Sequence, residues 1–317
     1  KGEKSEPSLN NSSYYFQMDV GKAFNPLMKK VRGLGKMKDK DQCSLSEDVI
    51  PTHYLDANGN QQRSQDIFYN LAAVTKRQPT CYTCMDSACA MINHFQKLQV
   101  PELIEQSNRI QKKVSSAKKD DVDIQNSDVF ANTYSKSFQK TSEILEKTYH
   151  VAQDGKFHKP PKQQADTNHG PVNVYKEYYS VSDEFTRVDY KKLDDKAYLK
   201  VISDKLYQHG PMLCIINVGS PVNDHAVLIN GVNGNKVCYV DPWNGQNKEM
   251  EVGLFKKKIR SEYLGGFVGH NCFGYSYQMK QDLNNLESKI DLNLEQNKLK
   301  NSQSSDQTKN EELKNPP

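Results

Sequence analysis

Apolar residues recur at helical spacing in two parts of the chain. One helix is predicted to begin at Cys84, because apolar residues follow at i, i+3, i+4 and i+7 and share one buried face: Ala88, Met91, Ile92 and Phe95. A second helix is predicted over residues 196–208 and ends at Gly210-Pro211. Residues 101–150 have a weaker helical pattern, typical of an inserted helical hairpin in which Ser127 caps one helix.

Short apolar runs between turn residues predict a group of strands. Three of them follow the second helix closely, at Met212–Val218, Ala226–Val232 and Lys236–Val240. Asn233-Gly234 separates the last two, which predicts a tight hairpin. Two more strands are predicted elsewhere, at Val172–Val181 and Phe273–Met279.

The two ends of the chain are polar. Residues 1–45 are predicted to form a flexible leader, whose lysine-rich run is typical of a solvated arm. Residues 281–317 are rich in Asn, Gln, Lys, Ser and Glu and carry a thin apolar stripe. This pattern predicts a tail that is helical at first and disordered from residue 300 onward. The folded domain is therefore expected over residues 46–280.

Composition narrows the function classes. The net charge of +4 over 317 residues is small, and no basic stripe interleaved with aromatic residues indicates nucleic-acid binding. Seven cysteines, an odd number in a long chain, favour a reducing compartment over a disulfide framework. No run approaches the roughly 18 apolar residues of a membrane span. The chain starts at Lys1 rather than Met, which leaves open whether a leader was removed.

Three short strings supply the groups of a thiol nucleophile site. Gln78 lies six residues before Cys84, His225 lies 141 residues after it, and Asp241 lies sixteen residues after His225. A thiol nucleophile needs a base, a group that orients the base and a donor for the oxyanion. Cys84 starts a helix, where the helix dipole favours the thiolate. The hairpin would bring His225 and Asp241 together, so that the carboxylate fixes the imidazole tautomer.

These strings resemble the papain-like cysteine peptidases. The Gln78 to Cys84 string is similar to their Gln-x-x-Cys-x-x-Cys segment, Asp224-His225-Ala226-Val227 to their histidine strand, and Asp241-Pro242-Trp243 to their Asn-x-Trp segment. The 141-residue spacing falls inside the roughly 130–150 residues known for the family. The staphopain-like and bacterial effector or toxin branches look nearest, because they carry a Pro before the Trp.

The resemblance implies a role for each of these residues. Cys84 would be the nucleophile, Gln78 the oxyanion donor, His225 the base and Asp241 its orienting group, with Trp243 shielding the His–Asp bond from water. The sequence departs from the family pattern in three places, with Met85 in the usual Trp position, Tyr82 in place of a small residue, and Asp241 in place of the commoner Asn. These departures bear on the substrate cleft more than on the mechanism.

The expected fold is α+β and papain-like, with the Cys84 helix in a helical lobe packed on a mostly antiparallel sheet. The expected function is thiol-dependent hydrolysis of a peptide or isopeptide bond, without a cofactor or metal. The substrate is a protein or peptide, with host proteins among the candidates. Analogy favours a bacterial effector or toxin that is secreted or translocated and works in a reducing cytosol, with the bacterial cytoplasm as the second location.

Four alternatives use the same residues. The same triad would support deamidation or transglutamination of a Gln side chain. Cys81, Cys84, Cys89 and His94 could instead bind zinc, since Cys-x-x-Cys is a knuckle spacing. A thioredoxin-like redox pair is less favoured, because no βαβ pattern surrounds the cysteines. A non-catalytic interaction module is disfavoured by the complete set of candidate catalytic residues.

Overall fold

The fold was analysed in a computed structural model of the 317-residue chain. The structure describes residues 42–75, 77–78, 84–115, 150–151, 157–158, 181–183, 186–187, 192–218, 224–259, 263–264, 267–269 and 275–312. Four predictions lie outside these residues: the leader before residue 42, the Ser127 helix, the strand before Val181, and the placement of Cys81.

The described residues form helices and antiparallel strands. The helices are α1 (Cys84–Ser115), α2 (Asp195–His209), α3 (Val252–Lys258) and α4 (Tyr277–Glu312). The strands are β1 (His53–Leu55), β2 (Gln61–Arg63), β3 (Ile67–Phe68), β4 (His150–Val151), β5 (Phe157–His158), β6 (Val181–Asp183), β7 (Thr186–Arg187), β8 (Met212–Asn217), β9 (Asp224–Asn233), β10 (Lys236–Asp241), β11 (Gln246–Glu251), β12 (Tyr263–Leu264) and β13 (Phe267–Gly269).

The main sheet has the strand order β11-β10-β9-β8-β13-β6, and β3 pairs with the far end of β9. All of these pairings are antiparallel. Every residue of β9 from His225 to Val232 is buried, so β9 is the central strand of the sheet. The described part of the chain is therefore α+β with a mostly antiparallel sheet.

The sequence located most of these elements. The helix start at Cys84 is confirmed, and this helix continues to Ser115, into the segment where the inserted hairpin was expected. The helix before Gly210 and the three strands that follow it are confirmed, with ends that move by at most two residues. The strand at Phe273–Met279 is wrong, because Tyr277 starts α4. The Ser276 hydroxyl accepts a hydrogen bond from the Met279 N–H at 3.2 Å, which caps the helix. Leu283 and Ile290 then follow at helical spacing and are fully buried.

Helix α4 is the part of the chain where a polar tail was expected. It contains the predicted domain boundary at residue 280, and it continues to Glu312. Its first turns pack on α1, where the Gln106 amide donates to Asn284 at 2.7 Å and Lys113 forms ion pairs with Glu287 and Asp291. Burial of the thin apolar stripe therefore attaches the first half of α4 to the rest of the fold.

The β9–β10 hairpin turns at Gly234-Asn235, one residue later than predicted. Asn233 pairs with Lys236 across a two-residue loop, and Gly234 adopts a φ of 58°, in the left-handed region that glycine tolerates. The Gly234 N–H also donates to the Asp66 carboxylate at 2.8 Å. The ladder therefore starts with Asn233 opposite Lys236.

A β-bulge interrupts this ladder. Cys238 lies opposite Gly231, but its neighbour Tyr239 lies opposite Ile229, so Asn230 has no partner on β10. Beyond the bulge Leu228 faces Val240, and the same register places Val227 opposite Asp241. Val227 and Asp241 are opposite each other and share one face of the sheet. His225 is two positions from Val227 on the same strand, so His225 and Asp241 also lie on the same face. Without the extra residue, Asp241 would lie opposite Leu228 and point away from His225.

Contacts with the β3 segment hold the bulge. The Asn230 side-chain amide donates to the Tyr69 carbonyl at 2.9 Å, and the Tyr69 N–H donates to the Asn230 carbonyl at 2.8 Å. A side chain at Gly231 would collide with Phe68, because its Cβ would lie 2.7 Å from the ring and 2.7 Å from the Ile67 carbonyl oxygen. The bulge therefore depends on a buried amide and on the absence of a side chain beside it.

A cluster of aromatic residues joins β3 to the helices. Tyr69 stacks on Tyr277 with ring centroids 4.2 Å apart, and Phe95 of α1 packs edge-on against Tyr69 at 5.6 Å. The Tyr69 hydroxyl donates to the Leu206 carbonyl of α2 at 2.8 Å. One side chain thus connects α1, α2 and α4 to the strand segment that holds the bulge.

We expect Asn230→Ala to destabilise the protein by about 1–3 kcal/mol, because it leaves the buried Tyr69 carbonyl without its donor. Urea unfolding monitored by circular dichroism measures this change. Gln246→Ala is the control, since Gln246 is exposed on β11 of the same sheet and should change stability by no more than about 0.5 kcal/mol. Equal costs for the two variants would contradict a role for Asn230 in holding the bulge.

Candidate active site

Cys84 is the first residue of α1, and its thiol faces the start of β9. The Ala226 N–H points at the Cys84 sulfur, with nitrogen and sulfur 3.5 Å apart. Cys84 is partly buried, and its sulfur forms no disulfide bond. The apolar face of α1, which includes the fully buried Ala88, packs on the core and fixes the helix axis relative to the sheet. The structure therefore places the predicted nucleophile at a helix N-terminus and against the predicted histidine strand.

His225 lies between Cys84 and Asp241. Its Nε2 is 2.6 Å from the Asp241 Oδ1, and its ring also shares a side-chain hydrogen bond with Cys84. A carboxylate can only accept, so Nε2 carries a proton. The other ring nitrogen, Nδ1, is then the one that exchanges a proton with the Cys84 sulfur. The ring is 96% removed from solvent, which leaves these two groups to decide its protonation.

The ion pairs of the site overcome the cost of burying the histidine. Burial alone lowers the pKa of His225, but the hydrogen bonds and charges of Asp241 and Cys84 outweigh it and raise the pKa to about 9 from an ordinary value of 6.5. Burial likewise raises the pKa of Asp241, but His225 and the ammonium of Lys248 lower it well below its usual range. At neutral pH the site therefore holds an imidazolium beside a carboxylate.

Trp243 and Gln78 lie next to the His–Asp pair. The Trp243 ring packs edge-on against His225 with centroids 5.8 Å apart, and the Trp243 N–H donates to the Asp241 Oδ1 at 2.9 Å. The Gln78 N–H donates to the Pro242 carbonyl at 2.6 Å, and the Gln78 side chain is buried. The structure thus brings all five predicted residues to one end of the β9–β10 hairpin, and the Trp243 ring lies beside the His225 ring of the His–Asp pair.

Lys248 is a charged residue of this site that the sequence analysis missed. Its Nζ lies 2.5 Å from the Asp241 Oδ2, and only 13% of its side chain is exposed. It belongs to β11, whose sequence Gln-Asn-Lys-Glu-Met-Glu has no apolar alternation that would predict a strand. The spacing from Asp241 to Lys248 becomes meaningful only when the β10–β11 turn at residues 242–245 is known.

Among the residues that the structure describes, one group of metal-ligating side chains has its donor atoms within 4.8 Å of one another, and it consists of Cys43, Cys238 and Glu249. The Lys236 ammonium forms an ion pair with Glu249, and the Ser44 hydroxyl donates to the same carboxylate at 3.1 Å. The ammonium thus holds the position that a metal cation would take at this carboxylate, so this group fits a metal poorly.

The zinc site that the sequence offered as an alternative consists of Cys81, Cys84, Cys89 and His94. Because Cys81 lies outside the described residues, this zinc site stays an alternative. Cys89 is fully buried in the core beside Ala88.

No helix in the described part of the chain is long and apolar enough to cross a membrane.

Residues 190–260 match a protein-family model described as the papain-like cysteine protease AvrRpt2. The matched segment runs from the start of α2 to the end of α3 and includes His225, Asp241 and Lys248, whereas Cys84 and Gln78 lie outside it. This similarity indicates a papain-like cysteine protease domain of the AvrRpt2 type. It supports the predicted superfamily, but it does not single out the staphopain-like branch. No curated protein and no solved structure matches this chain.

We expect stability to fall as the pH rises from 6.5 to 9. In that window folded His225 keeps a proton that the unfolded chain has lost, so each increment of pH favours unfolding. The loss should be about 1–3 kcal/mol. Urea unfolding at a series of pH values checks it against His225→Gln, which should lack this part of the slope. Parallel pH profiles for both proteins would show that His225 is not protonated above its ordinary pKa.

We expect the protein purified without chelator to carry no stoichiometric zinc, and EDTA to leave its thermal unfolding unchanged. Elemental analysis and thermal denaturation measure the two. One zinc per chain that disappears in Cys238→Ser would contradict our assignment of Glu249 to the Lys236 ion pair. One zinc that disappears in Cys81→Ala would favour the zinc knuckle over the thiol nucleophile.

Proposed function

We propose that this protein is a thiol hydrolase that cleaves peptide or isopeptide bonds with Cys84, His225 and Asp241. The observation that carries the proposal is that the His225 ring hydrogen-bonds to the Asp241 carboxylate through Nε2 and also shares a side-chain hydrogen bond with Cys84. These three residues come from α1, β9 and β10, and packing for stability alone does not require a buried acid, base and thiol in this order. The similarity of residues 190–260 to papain-like cysteine proteases supports the same chemistry.

In the proposed mechanism, the Cys84 thiolate attacks the carbonyl carbon of the scissile bond. The oxygen becomes an oxyanion, which the Gln78 side-chain amide and the Cys84 N–H would stabilise by hydrogen bonds. His225 donates its Nδ1 proton to the leaving amine, and the acyl group stays on sulfur as a thioester. Nδ1 then takes a proton from water, whose oxygen attacks the thioester and releases the acid and the Cys84 thiolate.

The surroundings of His225 support this proton transfer. Asp241 accepts from Nε2–H throughout, which keeps the ring from rotating and directs Nδ1 toward Cys84. Trp243 covers one edge of the pair, so water competes less for the His–Asp hydrogen bond. A raised pKa of His225, about 9, means that the ring starts the cycle with the proton that the leaving amine needs.

The substrate in this proposal is a protein, with a host protein as the target of an effector-type protease. Five described cysteines, including the neighbouring Cys43 and Cys238, are free thiols, which supports work in a reducing cytosol after transfer from a bacterium. Incubation with host-cell extract, followed by mapping of new N-termini, identifies the cleaved bond. Conversion of Gln to Glu, or cross-linking through Gln, would instead assign the triad to deamidation or transglutamination.

We expect Cys84→Ala to abolish both turnover and labelling by a tagged thiol electrophile. His225→Ala should lower turnover by at least about 10²–10⁴-fold, because it removes the general acid and base. Labelling is measured in a Cys43→Ser background, because Cys43 is a partly exposed thiol outside the site whose pKa is lowered by a hydrogen bond with Cys238; this substitution alone should leave turnover unchanged. Labelling that survives Cys84→Ala, or normal turnover in His225→Ala, would overturn the proposal.

A further inference from the structure

Asp241 lies between two cations. Its Oδ1 accepts from His225 Nε2 at 2.6 Å and from the Trp243 N–H at 2.9 Å, while its Oδ2 accepts from Lys248 Nζ at 2.5 Å. The side chains of Asp241 and Lys248 are only 12% and 13% exposed. Both oxygens of the carboxylate are therefore used, one on the catalytic side and one on the side of Lys248.

The charges of this line alternate in sign. The His225 imidazolium, the Asp241 carboxylate and the Lys248 ammonium follow one another, so that one negative charge lies between two positive charges. Burial makes an uncompensated charge costly, so removal of either end of the line changes the charge state of its neighbours. Like Asp241, Lys248 neither touches the substrate in the proposed mechanism nor exchanges its proton with another member.

We propose that Lys248 is a positioning residue of the active site, which holds the Asp241 carboxylate in place and neutralises it, and thereby sets how firmly His225 keeps its proton. The expected effect of Lys248 on catalysis rests on the proposed function. The charge coupling between Lys248, Asp241 and His225 is independent of that function. Lys248 contacts the Asp241 carboxylate on the oxygen that faces away from His225, so its charge acts on the ring from the far side of Asp241.

The direction of the effect follows from electrostatics. With Lys248 in place, part of the negative charge of Asp241 is balanced, so Asp241 stabilises the protonated form of His225 only moderately. If Lys248 lost its charge, the unbalanced carboxylate would hold the proton on His225 more tightly and slow its transfer to the leaving amine. If Asp241 lost its charge, the Lys248 ammonium would repel the imidazolium instead.

Few other charges act on His225. Among the described side chains, Asp241 from β10 and Cys84 from α1 are the groups whose hydrogen bonds and charges shift its protonation. On β8 its partner is Ile216, which is apolar. The residue paired with Lys248 beyond β11 is Gln42, which carries no charge. The hydrogen bonds and charges of Asp241 and Cys84 therefore dominate the protonation of the ring, and Lys248 lies next to them, on the far oxygen of Asp241.

The same two strands offer a matched control. Lys236 of β10 forms an ion pair with Glu249 of β11, so it shares the sheet and the type of interaction with the Lys248 pair. Lys236 lies beside the hairpin turn, and unlike Lys248, neither it nor Glu249 is among the groups that shift the pKa of Asp241. Lys236→Met therefore removes a lysine ion pair without disturbing the proposed line.

The experiment is a double-mutant cycle in the full chain, with Lys248→Met, Asp241→Asn and the double variant. The pH midpoint at which His225 loses its proton is measured by NMR of labelled histidine, and the alkaline limb of kcat/KM is measured on one peptide substrate. We expect the midpoint to rise by roughly one pH unit in Lys248→Met and to fall by roughly one unit or more in Asp241→Asn. The double variant should titrate above Asp241→Asn, because it also loses the repulsion between Lys248 and the imidazolium, and below the wild type, because it lacks the larger contribution of Asp241.

Three comparisons separate this inference from a merely structural role. Lys248→Arg keeps the charge and should retain the wild-type midpoint, and Lys236→Met should also retain it even if it lowers stability. An unchanged midpoint in Lys248→Met, or a double variant that titrates like Asp241→Asn, would overturn the inference. If Lys248→Met does not fold, the comparison of Asp241→Asn with the double variant still decides, because the double variant leaves no buried charge unpaired.

The two readings also separate the inference from the proposed function. A wild-type protein with no hydrolytic activity but with the expected NMR midpoints would disprove the function and keep the charge coupling. Normal activity with no movement of the midpoints would do the opposite.

Discussion

The candidate site depends on one irregularity in the β9–β10 ladder. Asn230 is an extra residue on β9, and it shifts the register by one position between Cys238 and Tyr239. Because side chains alternate between the two faces of a sheet, this single residue decides whether His225 and Asp241 face each other or point to opposite sides. The 2.6 Å contact between them is thus a consequence of the bulge.

The core of the protein is arranged around this strand. Tyr69 hydrogen-bonds to the bulge on one side and to α2 on the other, while its ring packs against α1 and α4. Burial of these aromatic rings is favourable in itself and also fixes three helices relative to β9. The position of Cys84 follows, because α1 is anchored by its apolar face and its first residue meets β9 at Ala226.

The charged groups give the site its chemical character. Burial alone would make His225 neutral and Asp241 protonated, since each loses hydration. The opposite charges beside them reverse both tendencies, so the interior retains an imidazolium and a carboxylate at neutral pH. Such pairs contribute little to stability after their desolvation, and their presence in one cluster at a helix N-terminus is better explained by chemistry than by folding.

The sequence by itself determined the local elements and pointed to the candidate reacting residues. Helical spacing located α1 and α2, short apolar runs located β8, β9 and β10, and the spacing of Gln78, Cys84, His225 and Asp241 indicated thiol chemistry. These features are encoded locally, by periodicity and by residue type. The strand predicted at Phe273–Met279 is wrong. Its aromatic residues are typical of a strand, but its C-terminal part begins α4. The buried apolar residues that identify this helix lie further along the chain.

The tertiary structure alone decided which side chains meet. The bulge at Asn230 has no local signature, since it is held by Tyr69, a residue 161 positions earlier in the chain. Lys248 sits on a strand too polar to be predicted, and it reaches Asp241 only because the β10–β11 pairing brings it there. Register and pairing between distant segments are set by the packing of the whole core, which no short stretch of sequence specifies.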